Sequence, residues 1–471
     1  MNTGLARVTI SAPQRRVDVA LPEQVPLAEL LPEVLRHAGE DLADAGERHG
    51  GWVLRRADGV TLEVDRGLHP QGVRDGEVLH LRPAHDDWPE LEYDDVVEAV
   101  AEGARRRGGA WTPATTRTAA LIAAGTAFTI GLVALAAADL RGDGAGWAGL
   151  GLAVLLALAA TTASRAYGAA PAGVVLGGFA MPYAFAGGAA LVTSAGRDGV
   201  LPGLRWIGGP ELLAGSVAVL LAAVLCGAGV ATGARVFTAG ATVGALGAPA
   251  ALTGLAGGPE AGAAALFALL VCGISLFPAL AIRLGRTPMP PVTLPADPAD
   301  GPADAALEAI RHRPDREVVF AAVRRTDESL AGLLLGHAVL VAGAAAVLAV
   351  TNTLAARILL AAGAIALLLR SRLFRSRRQR LPLAAGGLAA FVAFGADLLG
   401  EVDTAALPAV AVGCALLALA VVAGGLTWSD RSPSPYLSRA ADLLDVLATV
   451  SVIPVACAVA GLYSAVSGIA F

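Results

Sequence analysis

Apolar and polar residues follow two different rhythms in this chain, and the rhythm changes near residue 117. Before that point the pattern is that of a small mixed domain. Arg7-Val8-Thr9-Ile10-Ser11 and Arg16-Val17-Asp18-Val19-Ala20-Leu21 each alternate with a period of two, with Pro13-Gln14 between them, and predict a β-hairpin. Leu27, Leu30, Leu31, Val34 and Leu35 then recur at the spacing of one helical face, and Gly39 supplies a stop. Pro32 suits that helix only in its first turn, because a later proline removes a backbone donor. Gly51 to Arg55 reads as a strand, Ala57-Asp58-Gly59 as a turn and Val60-Thr61-Leu62 as a second short strand. The turn Arg74-Asp75-Gly76 leads into the alternating strand Glu77 to Leu81.

Beyond residue 117 the short period disappears and long apolar stretches recur. They predict spans at 119–138, 146–163, 171–193, 211–231, 236–256, 261–282, 331–350, 354–369, 382–399, 405–426 and 443–468, eleven in all. Composition agrees. The chain is 55% hydrophobic and 16% charged, with a mean hydropathy of +0.63; a soluble domain carries about 25% charged residues. Residues 1–117 hold 14 arginines and 21 acids, leaving 21 arginines and 19 acids for the other 354 positions. The N-terminal apolar run is short and interrupted, unlike the apolar core of a secretory signal.

The fold class predicted is therefore a polytopic all-α membrane bundle of about eleven transmembrane helices, preceded by a cytosolic α+β domain. Hairpin, helix and further strands within about eighty residues follow the β-grasp order, and the segment resembles ubiquitin. Its predicted core is Val8, Ile10, Val17, Val19, Leu30, Val34, Leu79 and Leu81. The expected division is residues 1–84 as this head, 85–117 as a charged linker, and 118–471 as the membrane domain with a cytosolic loop at 284–330.

Orientation follows from arginine. With the head inside, the cytoplasmic loops carry 17 arginines and the opposite loops four: Arg141, Arg197, Arg205 and Arg357. Basic loop residues hold the cytoplasmic side, so the N-terminus is expected in the cytoplasm and the C-terminus outside. Arg105-Arg106-Arg107 stands just before the first span. The strip from Asp86 to Glu102, with eight acids and no arginine, reads as a solvated face or a docking strip for a basic partner. In the long loop, Pro288, Pro290, Pro291, Pro295, Pro298 and Pro302 form a semi-rigid spacer. Residues Ala305 to Leu330 read as a basic amphipathic helix broken at Pro314, lying along the inner face or against a partner.

Several chemistries are excluded. All 35 basic residues are arginine, so no Walker A lysine and no Schiff-base lysine exists. GxSxG and HExxH are absent. Cys226, Cys272, Cys414 and Cys457 lie in apolar stretches without a CxxC pair and read as packing residues. His49, His69, His80 and His85 lack metal-ligand spacing. At membrane depth the ionisable groups are His337 and Asp397, each a packing group bonded to a neighbour or a functional site; Asp139, Asp442 and Asp445 fall near span ends. Gly173-xxx-Gly177 and Gly240-xxx-Gly244 suit close helix contact, within the bundle or between copies. Pro182, Pro249, Pro278, Pro408 and Pro454 are positioned to kink or break spans. No catalytic, cofactor-binding or metal-binding residue is assigned.

The C-terminal stretch Ser432-Pro433-Ser434-Pro435-Tyr436-Leu437-Ser438-Arg439-Ala440-Ala441-Asp442 enters a span that contains Ile453-Pro454 and ends Gly461-Leu462-Tyr463. That pattern resembles the end of the EccD family of type VII (ESX) secretion systems. Asp75-Gly76-Glu77-Val78-Leu79-His80-Leu81 resembles the family's ubiquitin-like head, and Arg324 to Leu333 its entry into the seventh span. The resemblance implies a structural plasma-membrane subunit of the secretion core, with no catalytic residues to carry over. It further implies a homodimer assembled with EccB, EccC and EccE, where EccC supplies the ATPase. Membrane lipids are expected contacts, and nucleic acid is not. The arginine-rich loop Arg370 to Arg380 reads as an anionic-lipid contact. The competing class is a secondary transporter with a regulatory cytosolic domain, which requires a polar site at the membrane midplane.

Overall fold

The computed structural model describes residues 4–13, 15–39, 42, 46, 50–84, 111–137, 143–192, 208–286, 316–428 and 434–463. The chain divides into two compact units, Met1–Thr112 and Pro113–Phe471. His49, His85, the acidic strip, the arginine triplet, Asp139, the proline spacer and residues 305–315 lie outside the described residues.

In the first unit, strands β1 (Leu5–Ser11) and β2 (Arg16–Pro22) pair antiparallel as the predicted hairpin, with Val8 opposite Val19 and Ile10 opposite Val17. Helix α1 (Leu27–Ala38) follows, then β3 (Trp52–Arg56) and β4 (Val78–Pro83). The sheet order is β2-β1-β4-β3, with β4 parallel to β1 and antiparallel to β3. This is a ubiquitin-like β-grasp. Residues on one face of the sheet and on α1 close a core of Val8, Ile10, Leu27, Val34, Trp52, Leu54, Leu68, Leu79 and Leu81. Val19 and Leu30 pack at its margin, half-buried, while Val17 is half-buried outside it because it sits at the open end of the edge strand.

Two local readings differ. Pro32 lies beyond the first turn of α1. The acceptor its ring displaces is the carbonyl of Ala28, an exposed residue that water can satisfy, so the helix continues. Val60 to Leu62 folds back on β3 through Arg56 N–H to Val60 O and Leu62 N–H to Leu54 O, both 2.8 Å. It forms a single β-bridge, Arg55 with Thr61, rather than a strand, because the chain turns away at once.

Among the described residues the second unit contains eleven helical segments long and apolar enough to span a membrane. They are α2 (Pro113–Ala137), α3 (Asp143–Arg165), α4 (Ala170–Leu191), α5 (Gly209–Gly229) and α6 (Ala234–Gly257). The sixth is split into α7 (Pro259–Cys272) and α8 (Leu276–Gly285) by a short 3₁₀ turn, Gly273–Ser275. Next come α9 (Arg316–Ala349), α10 (Leu354–Ser371), α11 (Arg377–Leu399), α12 (Leu407–Trp428) and α13 (Pro435–Val459).

Two apolar cores hold this bundle. The first joins α3, α4, α5 and α6 around Leu156, Tyr183, Cys226 and Phe237; the second joins α7, α9, α10, α11 and α13 around Phe267, Val341, Leu360 and Val452. Packing of α6 against α9 connects them. Small residues permit the close crossings. A methyl group on Gly187 of α4 would lie 2.4 Å from the Leu150 backbone nitrogen of α3. One on Gly244 would lie 2.6 Å from the carbonyl oxygen of Ser216 in α5. No residue of α2 is buried, and α12 is exposed over nearly its whole circumference.

Two spans differ most from their expected bounds. Arg316–Ala349 is one helix of 34 residues, roughly 50 Å long, so Arg316 to Leu330 continues the span instead of forming a separate surface helix. The last span runs from Pro435 to Val459, eight residues earlier than predicted at its start. The N-cap sets that start: the Ser434 hydroxyl accepts from the Leu437 N–H, and Pro435 occupies the first helical position.

Candidate functional site

Polar groups inside the bundle lie where a helix end or break leaves backbone carbonyls without intrahelical donors. The clearest case is the interrupted sixth span. Pro278 cannot donate to Ile274, and the 3₁₀ turn separates α7 from α8. The last carbonyls of α7 then need donors from elsewhere. His337, on α9 and wholly buried, places Nε2 3.1 Å from Leu270 O. That nitrogen must carry the proton and donate, because a carbonyl only accepts. Phe277 of α8 meets the same imidazole edge-on, ring centroids 5.6 Å apart. Arg370 of α10 donates from Nη1 to Val271 O at 2.7 Å and from Nε to Asp445 Oδ1 of α13 at 3.2 Å. The break in one span is therefore capped by side chains from two others.

A second clamp lies at the opposite end of α10. Arg357 donates from Nε to Asp397 Oδ2 at 2.6 Å, and its two terminal nitrogens reach Glu401 at 2.8 and 2.5 Å. The Asp397 side chain is 1% exposed and that of Arg357 14%. This fork ties α10 to α11, and the Arg357 guanidinium holds the exposed Glu401 carboxyl below the usual carboxylate range. At the other end Arg372 pairs with Asp442, and Gln379 of α11 donates to Asp327 of α9 at 2.6 Å. In the first half of the bundle Arg165 of α3 donates to Gly229 O at 2.8 Å and Ala228 O at 3.0 Å, capping α5. The hydroxyl of Tyr183 donates to Phe128 O at 2.9 Å.

His337 and Asp397 are both bonded to neighbours, and they belong to separate sites at different levels of the bundle. Each retains one buried polar atom without a hydrogen bond, His337 Nδ1 and Asp397 Oδ1. Asp442 and Asp445 lie in the first half of α13 and are paired with arginines. The alternation of charged helix ends concealed these pairs, since partners such as Arg370 and Asp445 are separated by 75 residues. Opposite charges at the same end of successive spans were the available signal. Among the described residues no group of three or more His, Cys, Asp or Glu side chains is placed to hold a metal ion. In the head, Arg56 donates to Glu77 at 2.6 Å and holds that carboxyl below its ordinary range.

A β-grasp head followed by a bundle with eleven candidate spans, in which His337, Arg357, Arg370 and Arg165 cap or clamp helices, defines a polytopic membrane protein with a ubiquitin-like domain. Residues 116–469 match the model of the EccD-like transmembrane domain, and residues 5–81 that of YukD, a protein of the WXG100 protein secretion system. The chain belongs to the EccD family. It is 30% identical to the ESX-4 secretion system protein eccD4 of Mycobacterium tuberculosis, over 98% of this chain and 97% of that one. It is 28% identical to the ESX-3 protein EccD3 of Mycolicibacterium smegmatis, over 96% and 95%. Protomer 1 of the ESX-3 core complex has the same fold, with a TM-score of 0.58 at 23% identity over 98% of this chain and 99% of that one. A chain of the MycP5-free ESX-5 inner membrane complex has a TM-score of 0.53 at 19% identity, over 89% and 99%.

Proposed function

We propose that this chain, a structural membrane subunit of a type VII secretion system, docks the cytosolic parts of its core partners through the β-grasp head and catalyses nothing itself. The observation that carries this reading is the use made of the buried polar groups: His337, Arg370 and Arg357 cap or clamp helices. None lines a shared midplane site of the kind that ion or proton coupling requires. The head is expected in the cytoplasm, supported by the 17-to-four arginine asymmetry, and a second copy of this chain within the complex. EccB, the ATPase EccC and EccE are the partners that family membership implies. Affinity purification of the tagged chain in gentle detergent from its native host tests the assembly. Co-purification of a membrane ATPase and a second, differently tagged copy is expected; recovery as a lone protein with substrate-dependent ion flux in vesicles would establish the transporter reading instead.

A further inference from the structure

The six arginines from the end of α10 to the start of α11 are not equivalent. Arg370 is held by Asp445 and Val271 O, and Arg372 by Asp442. Arg375, Arg377, Arg378 and Arg380 are all exposed, and among the described residues none has a carboxylate partner. The segment that carries them is not loose. Phe374 packs against both the second apolar core and the small cluster of Phe277, Ala281, Leu333 and Leu334. Gln379 is tied to Asp327 of α9. Two large apolar side chains flank the four cations, Leu373 at 70% exposure and Leu381 at 67%.

Four fixed positive charges in six positions repel one another, and three of them occupy the first turns of α11, where the helix dipole is also positive. Among the described residues none of the four forms an ion pair, and the carboxylate beside them, Asp327, is bonded to the Gln379 amide instead. Their height in the molecule says what can compensate them. Arg375 stands between two membrane spans and the other three in the first turns of the second, so they lie at the boundary of the hydrocarbon layer, where headgroups sit. We propose that Arg375, Arg377, Arg378 and Arg380 form a binding site for the phosphate of an anionic phospholipid, whose acyl chains rest on Leu373 and Leu381. Arginine suits this ligand because its planar fork contacts two phosphate oxygens at once. The separation of four lipid-facing arginines from two structural ones is absent from the plain sequence run. The proposal requires only that the loop meet a leaflet, and does not rest on the secretion role.

The test uses the full chain reconstituted into bilayers of phosphatidylcholine and phosphatidylglycerol, released gently and weighed with its retained lipids by native mass spectrometry. Wild type should retain phosphatidylglycerol enriched about tenfold or more over its bulk share. R375Q/R377Q/R378Q/R380Q should fall to the bulk ratio. A charge-matched control at the same end of the bundle, R283Q/R286Q/R316Q/R324Q, should keep the enrichment. Single variants R378Q and R380Q, expected to show intermediate values, serve if the fourfold variant fails to insert. Excess inorganic phosphate should not displace the lipid; displacement would identify a free-phosphate site instead. Unchanged enrichment in the fourfold variant, flat single variants, or equal loss in the control would overturn the proposal.

Discussion

Asp397 and Arg357 illustrate how one buried charge depends on another. With the carboxylate 1% exposed, removing its partner leaves an uncompensated charge in a nearly water-free place. Arg357→Leu should therefore destabilise the bundle by roughly 3–5 kcal/mol. Asp397→Asn should cost far less, because Arg357 keeps both bonds to Glu401. Replacing both residues by leucine should recover much of the loss. Thermal unfolding in detergent should place the melting temperatures in the order wild type, Asp397→Asn, Arg357→Leu; the reverse order of the two variants would refute the clamp.

Glu77 makes a comparable pair in the head, with a pH consequence. Its pKa is lowered on folding, chiefly by the hydrogen bond from Arg56, with burial opposing. A group whose folded pKa is depressed stabilises the fold above its unfolded pKa, and that contribution is lost as pH falls through the folded value. Residues 1–84 and their Glu77→Gln variant should thus differ in urea midpoint at pH 7 and converge below about pH 4. A constant difference across that range would show that the ionised carboxylate contributes nothing.

At the level of elements, the head depends on α1 covering one face of the sheet. Val34 is 2% exposed and touches the core that Val8, Ile10 and Leu79 form. Val34→Asp would bury a charge without a partner and should cost several kcal/mol, enough to unfold a domain of this size. Loss of chemical-shift dispersion in the labelled head, read by NMR, checks it. A native-like spectrum would mean that α1 is not needed to close the core. The membrane helices obey a different logic. Lipid is as apolar as leucine, so α3 and α4 gain little from hydrophobicity and associate through surface shape, which Gly149 and Gly187 provide. The broken sixth span shows the compensating rule: freed backbone groups in a membrane are tolerated where neighbouring helices supply donors. His337 and Arg370 are those donors.

For the whole molecule, scaffold and transporter readings diverge in what they can lose. His337→Ala removes one hydrogen bond and part of the packing on Phe277. Such bonds between membrane helices average about 0.6 kcal/mol. Export by His337→Ala or Asp397→Asn should accordingly stay near normal, measured as secreted protein per cell. Deletion of residues 1–83 should leave the spans inserted but abolish assembly with the proposed ATPase partner and stop export. Point variants that insert, assemble and yet export nothing would overturn the scaffold reading.

Much of this protein is legible in one dimension. The β-grasp strands and helix follow from residue periodicity, because a half-buried strand or helix must repeat its apolar positions at its own period. The eleven spans follow from hydropathy, since a bilayer requires long apolar helices whatever packs beside them. The apolar run of α13 begins eight residues after the helix does, because the Ser434 cap and not hydropathy sets its N-terminus. Charge marks Arg316 to Leu330 off from the apolar run that follows, although a helix carries its hydrogen bonds across the membrane boundary without interruption. Pairings stayed hidden for a different reason. Which charges meet depends on which helices are neighbours, and in a bundle that choice is made by the close fit of small residues far apart in the chain. Only the tertiary structure therefore shows that His337 caps a broken span, that Arg357 clamps Asp397, and which four arginines from Arg370 to Arg380 have no carboxylate partner among the described residues.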